Sequence, residues 1–187
     1  MKELNSSVIG VLKQNPRFDD WWESDKLPIP FFNGSELPIT FMDFDPCEDT
    51  NFLIQADDAL KAFLEKDELD RLNISTLVFQ ECDSYWESII EPHTPEKYSS
   101  ITDAMEIWRW ITPIEIYITR RPYNDQDLYL IVACECDWDE EHGLQLVFRR
   151  GKQITRVSSQ DGHLTEADAD DKPDSEDELL KKFELEN

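Results

Sequence analysis

Hydrophobic residues recur at intervals of three and four through the middle of the chain, which is typical of amphipathic helices. This spacing predicts one helix over about 57–70, with Asp57 or Asp58 as its N-terminal cap. A second helix is predicted over about 73–90, and Pro92 prevents it from continuing further. The segment 99–112 also fits a short helix, although its Trp and Ile residues would suit a strand equally well.

Apolar and polar residues alternate in the second half of the chain, and period two indicates β-strands. Strands are predicted over 114–119, 128–136, 144–148 and 154–157, joined by turns into an antiparallel meander. Both faces of 128–136 are apolar, which predicts a central strand that is covered on both sides. The overall expectation is an α+β fold: an antiparallel sheet of about five strands, with the two main helices packed on one face.

Composition limits the number of domains and marks a tail. The chain has 187 residues, of which 40% are hydrophobic and 11% aromatic, enough for one core. We therefore predict a single globular α+β domain over 1–165. Residues 166–187 are strongly acidic with few apolar positions, which predicts a flexible C-terminal tail that ends in a short helix over about 178–185.

The charge of the chain restricts its partners. Against 18 Lys and Arg stand 42 Asp and Glu, a formal net charge of −24. A field of this sign repels nucleic-acid phosphates and anionic lipids, so we expect neither nucleic acid nor membrane as a partner, and a basic protein as the favoured one. The N-terminus lacks the apolar run of a signal peptide, and no stretch reaches the ~20 apolar residues of a membrane span. We therefore expect a cytoplasmic protein.

The densest polar cluster is the run Asp-Trp-Asp-Glu-Glu-His-Gly over 137–143, at the tip of a predicted hairpin between two apolar strands. Rigid flanking strands can hold functional groups in place. In one interpretation this tip is a binding site. The other is a plain turn, in which the glycine takes a positive φ, the Trp packs back on the sheet and the His fixes the loop. The candidate binding residues are Trp138, Asp139, Glu140, Glu141 and His142.

The same tip suggests a metal site. Asp137, Asp139 and His142 are the candidate ligands for a hard cation, and His142 with Cys134 or Cys136 could bind Zn²⁺. An EF-hand loop that begins at Asp137 would need Gly where His142 stands, so the calcium template fails. The two cysteines share the apolar face of the predicted strand, which favours packed thiols over thiolate ligands, and we expect no disulfides.

Two further patterns bear on chemistry. The chain contains no G-x-S-x-G, G-x-G-x-x-G, P-loop or H-E-x-x-H motif, which argues against an enzyme, so we predict no catalytic residue and no cofactor.

The pairs Trp21-Trp22 and Trp108-x-Trp110 suit either a core or an exposed platform for a partner.

The run from Cys136 to Leu144 resembles the C-x-W-D-x-E-H-G-L hairpin of an uncharacterised bacterial domain-of-unknown-function family, the 6985 type. Families of this kind are similar in size and acidity to the immunity proteins that neutralise bacterial toxins. The leading hypothesis is thus a non-enzymatic acidic interaction module that binds a basic protein, with a toxin domain as one candidate. The alternative is a metal-binding module or metal-dependent enzyme centred on 137–142.

Overall fold

A computed structural model describes residues 2–89 and 95–186, and within these ranges the strands form two sheets. The large sheet has eight strands in the order β1-β2-β3-β6-β7-β8-β9-β10, and the small one pairs β4 with β5. The strands are β1 (Glu3–Ser6), β2 (Gly10–Gln14), β3 (Trp22–Ser24), β4 (Leu27–Ile29), β5 (Ser35–Leu37), β6 (Ile39–Phe41), β7 (Ile111–Arg120), β8 (Leu128–Cys136), β9 (Leu144–Arg149) and β10 (Gln153–Ser158).

The predicted sheet of about five antiparallel strands is wrong, because the large sheet is mixed and has eight strands. Strands β7 to β10 form the antiparallel meander that the alternation indicates. The N-terminal half adds β1, β2, β3 and β6, of which β6 runs parallel to β7. A parallel neighbour requires a long crossover connection, and the helical segment between β6 and β7 provides it.

The helices also differ from the two that the sequence predicts, because three of them have nine or more residues. The helices are α1 (Phe52–Leu64), α2 (Glu68–Asn73), α3 (Ser75–Ser88), α4 (Glu96–Ser99), α5 (Glu166–Ala169) and α6 (Glu178–Glu186), with 3₁₀ turns over Pro30–Phe32, Ala104–Trp110 and Asp174–Glu176. Among the described residues, no helix combines the length and the apolarity that crossing a bilayer requires. The predicted end of the second helix at residue 90 lies outside the described residues.

The helix predicted over 57–70 is two helices, because a capping box starts a new one. The Asp67 carboxylate accepts hydrogen bonds from the N–H groups of Leu69 and Asp70, and the Asp70 carboxylate accepts one from the Asp67 N–H. Asp57 is not a cap, because it lies inside α1. Its carboxylate instead accepts hydrogen bonds from Ser7 N–H at 2.7 Å and from the Ser7 hydroxyl at 2.6 Å, which ties α1 to the N-terminal strands.

The sheet has two unlike faces. On the first face, α1 and α3 pack over the main core, and Leu130, Val132 and Cys134 of β8 point into it. On the second face, Tyr129 and Ile131 of the same strand form a smaller cluster. The prediction that β8 is central and apolar on both faces is therefore confirmed.

Residues 164–180, called here the C-terminal segment, lie against the second face near β8, β9 and β10. Leu164, Ala167 and Leu180 are buried in it. The buried Asp177 carboxylate accepts hydrogen bonds from the N–H groups of Ala167 at 2.9 Å and Leu180 at 3.0 Å. This segment of the predicted tail is thus joined to the sheet by apolar and polar contacts.

One buried arginine links the C-terminal segment to the end of β7. Arg121 is 1% exposed, and its guanidinium donates hydrogen bonds to the carboxylates of Asp125, Asp168 and Asp174 at 2.6–3.2 Å. Burial alone would lower the pKa of Arg121, but the hydrogen bonds to Asp174 and Asp168 raise it instead. The Tyr129 hydroxyl donates to Asp125 at 2.7 Å and extends this network, called here the Arg121 cluster.

Candidate functional site

The tip between β8 and β9 is a compact turn built around Asp139. This residue is 5% exposed, and its Oδ1 accepts a hydrogen bond from the backbone N–H of His142 at 3.0 Å. The ring Nδ1 of His142 lies 3.2 Å from the same oxygen. Its carbonyl accepts the Gly143 N–H at 2.9 Å. Trp138 is also buried and lies edge-on to Tyr98, with ring centroids 6.4 Å apart. Two of the five candidate binding residues, Trp138 and Asp139, therefore hold the turn together.

Gly143 closes this turn at a point where no side chain fits. Its φ is +64°, and a Cβ there would lie 2.5 Å from the carbonyl oxygen of Cys134 and 2.6 Å from Nε2 of Gln160. The Gln160 amide donates to the same carbonyl at 3.0 Å. The glycine is thus required by both the backbone conformation and the close approach of β8.

The outer side of the tip is an open cleft of about 430 Å³. Glu140, Glu141 and His142 project there and are exposed, as are Glu135 and Asp137. Among the described residues that line the cleft, five are acidic and none is Lys or Arg. The acidic residues are Glu135, Asp137, Asp139, Glu140 and Glu141.

The negative field of this hairpin-tip cleft extends to the neighbouring helix α3. Partial burial, followed by the charges of the hairpin with Asp139 foremost, raises the pKa of Tyr85 on that helix. A tyrosine whose ionisation is opposed by nearby carboxylates marks a region of negative potential. The same potential would attract a cation that approached the cleft.

The predicted metal ligands are not brought together as a set. His142 and Asp139 face each other, but Asp137 is exposed and its backbone N–H bonds to the carbonyl of Trp110 at 3.0 Å. Within the described residues, no group of three or more His, Cys, Asp or Glu side chains is arranged to hold a metal ion. The described residues therefore do not supply the ligand set that the metal alternative needs.

The cysteines near the tip pack as thiols. Cys134 and Cys136 are buried in the main core, and burial raises the pKa of Cys136 to about 11. The Cys136 Sγ–H lies 3.7 Å from the carbonyl oxygen of Asp139, to which it donates. All four cysteines of the chain are free thiols. Thiols that stay protonated at neutral pH are poor nucleophiles and poor metal ligands.

The tryptophan pairs divide between core and surface. Trp22 is 2% exposed, and its indole N–H donates to the Phe44 carbonyl at 3.1 Å. Trp21 points to the opposite face and is half-buried, 4.9 Å from the ring of Phe18 and 6.1 Å from that of Tyr117 between centroids. We call these three rings, Phe18, Trp21 and Tyr117, the aromatic platform.

The sequence does not indicate the Arg121 cluster. It also does not indicate that Tyr117 and Glu115 lie together on an exposed aromatic surface. The signal that could have pointed to Glu115 and Tyr117 is their shared place on the polar face of the strand β7. The sequence alone does not distinguish Trp21 from Trp22. Adjacent residues on an extended chain point in opposite directions, so one of the two reaches this surface and the other enters the core.

One comparison with known proteins gives a match. The model of a family described as "Domain of unknown function (DUF6985)" matches residues 8–164. The match includes the hairpin-tip cleft and the aromatic platform, and it ends where the C-terminal segment begins. No curated protein and no solved structure matches the chain.

Proposed function

We propose that this chain, which belongs to the family described as "Domain of unknown function (DUF6985)", is an acidic interaction module and not an enzyme, and that it binds a basic protein. The observation that carries the proposal is the hairpin-tip cleft, where five lining carboxylates stand without a lysine or arginine among the described lining residues. A Lys or Arg side chain of a partner is the chemical complement of such a cleft.

Several arginines in the described part of the chain pair with carboxylates outside the cleft. Arg121 and Arg156 are buried and pair with carboxylates of the C-terminal half. Arg120 pairs with Asp49 at 2.6 Å, and Arg149 pairs with Asp127 at 2.7 Å. These internal pairs neutralise carboxylates that the fold itself needs. The acidic surplus of the −24 chain is therefore carried by its surface.

The physical effect of such a surface is on the rate of encounter as well as on affinity. Each exposed pair contributes about 1 kcal/mol or less, so four exposed carboxylates give a modest affinity that salt weakens. Their common potential speeds the approach of a cationic partner at low ionic strength, and a Debye length of about 8–10 Å under physiological conditions limits its range. A salt-sensitive association rate is the expected signature.

The class of partner is part of the proposal. A basic toxin domain neutralised by this chain, as immunity proteins neutralise theirs, is one candidate of the required charge. The free thiols support a reducing compartment, and we place the protein in the cytoplasm.

The test is affinity capture from a lysate of the source organism, at low and at high salt, followed by mass spectrometry. The bait is compared with a variant in which Glu135, Asp137, Glu140 and Glu141 are changed to their amides. A matched control removes the same number of charges from exposed positions away from the tip, by changing Glu3, Glu36, Glu65 and Glu176 to Gln.

We expect a basic protein that is captured by the native chain and by the control, and that is lost at high salt and with the tip variant. Equal capture by both variants would show that net charge, and not the cleft, is responsible. If no basic protein is retained at low salt by the native chain, the proposed function is wrong.

A further inference from the structure

The second face of the large sheet is covered unequally. Over β8, β9 and β10 the C-terminal segment closes it, with Leu164 in contact with Tyr129 and Val147. On the N-terminal side of the same sheet, large apolar side chains are left in solvent, and Val11 and Phe18 are 48% and 50% exposed. A half-open sheet face with aromatic residues is a common form of protein-binding surface.

The aromatic platform on this open half is bordered by carboxylates. Glu115 Oε2 accepts a hydrogen bond from the Tyr117 hydroxyl at 3.0 Å, and Oε1 accepts one from the Thr40 hydroxyl at 2.7 Å. Burial, followed by the charges of Glu115 and Glu23, raises the pKa of Tyr117 to about 12. Glu115 is therefore held in a fixed position beside the rings.

Glu115 is the carboxylate that contacts the platform directly, through the Tyr117 hydroxyl. Lys13 lies directly opposite Glu23 in the β2–β3 pairing, where the two side chains share a face and can offset each other. Arg17 is exposed and precedes Phe18 at the edge of the platform. Glu115 is opposite Ala133 of β8, so its neighbour across the strands is uncharged.

The platform is continuous with the hairpin-tip cleft. Glu135 lines the cleft, and it follows Ala133 by two positions on β8, so both side chains lie on the second face. Glu115 pairs with Ala133, and Tyr117 pairs with Ile131. A row of side chains thus leads along one face from the carboxylates of the cleft to the aromatic rings.

From this continuity we infer that the platform is a second contact point for the same basic partner, and that it binds an arginine side chain. The guanidinium would lie flat against Trp21, and its N–H groups would donate to Glu115. Arginine suits the site better than lysine, because its planar group stacks on an aromatic ring and presents two parallel donors to one carboxylate. The inference rests on the proposed function, since it names a feature of the partner that the cleft would attract.

The experiment uses the full chain and two probes of equal length, an oligo-arginine peptide and an oligo-lysine peptide. Binding is followed through the indole and backbone N–H signals in ¹⁵N NMR spectra, and affinities are taken from the titrations. The variant is Trp21→Ala, with Phe18→Ala as a second variant should the first fail to fold. The control is Tyr123→Ala, which removes an aromatic ring that is 78% exposed and outside the platform.

We expect the Trp21 indole signal to move with oligo-arginine. The Trp21→Ala and Phe18→Ala changes each weaken oligo-arginine binding about two- to fivefold, with a smaller effect on oligo-lysine. Glu115→Gln should weaken oligo-arginine binding as well, whereas Glu36→Gln, at an exposed position on the small sheet, should not.

The two proposals fail in different ways. If hairpin-tip signals move while the Trp21 signal stays fixed at saturation, the inference about the platform is refuted and the cleft is still the cation site. Equal losses for both peptides in Trp21→Ala would also refute the preference for arginine. If the Trp21 signal moves and the hairpin-tip signals do not, the cleft proposal fails while the platform is supported.

Discussion

Replacing Arg121 by methionine tests the main internal contact of the second face. The change keeps most of the side-chain volume but leaves three carboxylates, Asp125, Asp168 and Asp174, close together without their cation. Removing one partner of a buried ion pair costs about 3–5 kcal/mol. The three carboxylates are 13%, 27% and 32% exposed, so water can rehydrate them in part, and we expect the lower end, about 3 kcal/mol.

The assay is urea denaturation followed by tryptophan fluorescence, with thermal unfolding as a second measure. A loss of about 3 kcal/mol corresponds to a fall in Tm of roughly 6–12 °C for a chain of this length. The control is Arg150→Met, because Arg150 is half exposed and its partner Asp127 keeps its contact with Arg149, so the expected loss is under about 1 kcal/mol.

A triple variant separates charge from packing. If the cost arises from carboxylates left without a cation, then adding Asp168→Asn and Asp174→Asn to Arg121→Met should restore about 1–2 kcal/mol. The reasoning would be refuted by a loss below about 1 kcal/mol in the single variant, or by a triple variant less stable than the single one.

Three more predictions concern the turn, the pH response and the thiols. Gly143→Ala should lower the free energy of unfolding by about 2–4 kcal/mol, because the new Cβ would overlap the Cys134 carbonyl. Gly10 also has a positive φ but has open space around it, so Gly10→Ala should lower the free energy of unfolding by only about 1–2 kcal/mol in the same urea titration. Burial opposes ionisation of Asp125, but hydrogen bonds and neighbouring arginines outweigh it and lower the pKa of Asp125 below 3.8. Its carboxylate therefore stabilises the fold at neutral pH, and this contribution is lost as the pH falls through the lowered pKa. Asp125→Asn should show a smaller loss of unfolding free energy between about pH 7 and pH 3 than the native chain. Exposed Cys47 should react quickly with a thiol reagent at neutral pH, and the remaining thiols only after denaturation; fast labelling of Cys134 in the native protein would contradict its burial.

The C-terminal meander could be predicted from the sequence because its strands are long. Eight of the nine residues over 128–136 are hydrophobic, Glu135 being the exception, which leaves little choice of structure. The strands β1, β3 and β6 have three or four residues each, too short for alternation to be distinguished from chance. The parallel pairing of β6 with β7 depends on tertiary packing that no local pattern encodes.

The candidate site was predictable only in part. Asp139, Glu140 and Glu141 are equivalent in the sequence as members of one acidic run, and only the fold shows that Asp139 is buried in the turn while the other two face solvent. The partners of Arg121 were beyond reach for another reason. Asp168 and Asp174 are 47 and 53 positions away, in a segment whose composition indicates solvation.

The parallel seam between β6 and β7 has a consequence for how binding and folding are coupled. Only three register pairs join the two halves of the sheet there, and each pair links residues 77 positions apart, as Ile39 and Ile116 are. The loop-closure entropy of such long-range contacts favours late formation of this pairing during folding. Trp21 belongs to one half and Tyr117 to the other, so the aromatic platform exists only while the seam is closed. A ligand held across it would therefore act as a clamp on the N-terminal half, and the protein would be more resistant to subglobal unfolding in its bound state than alone.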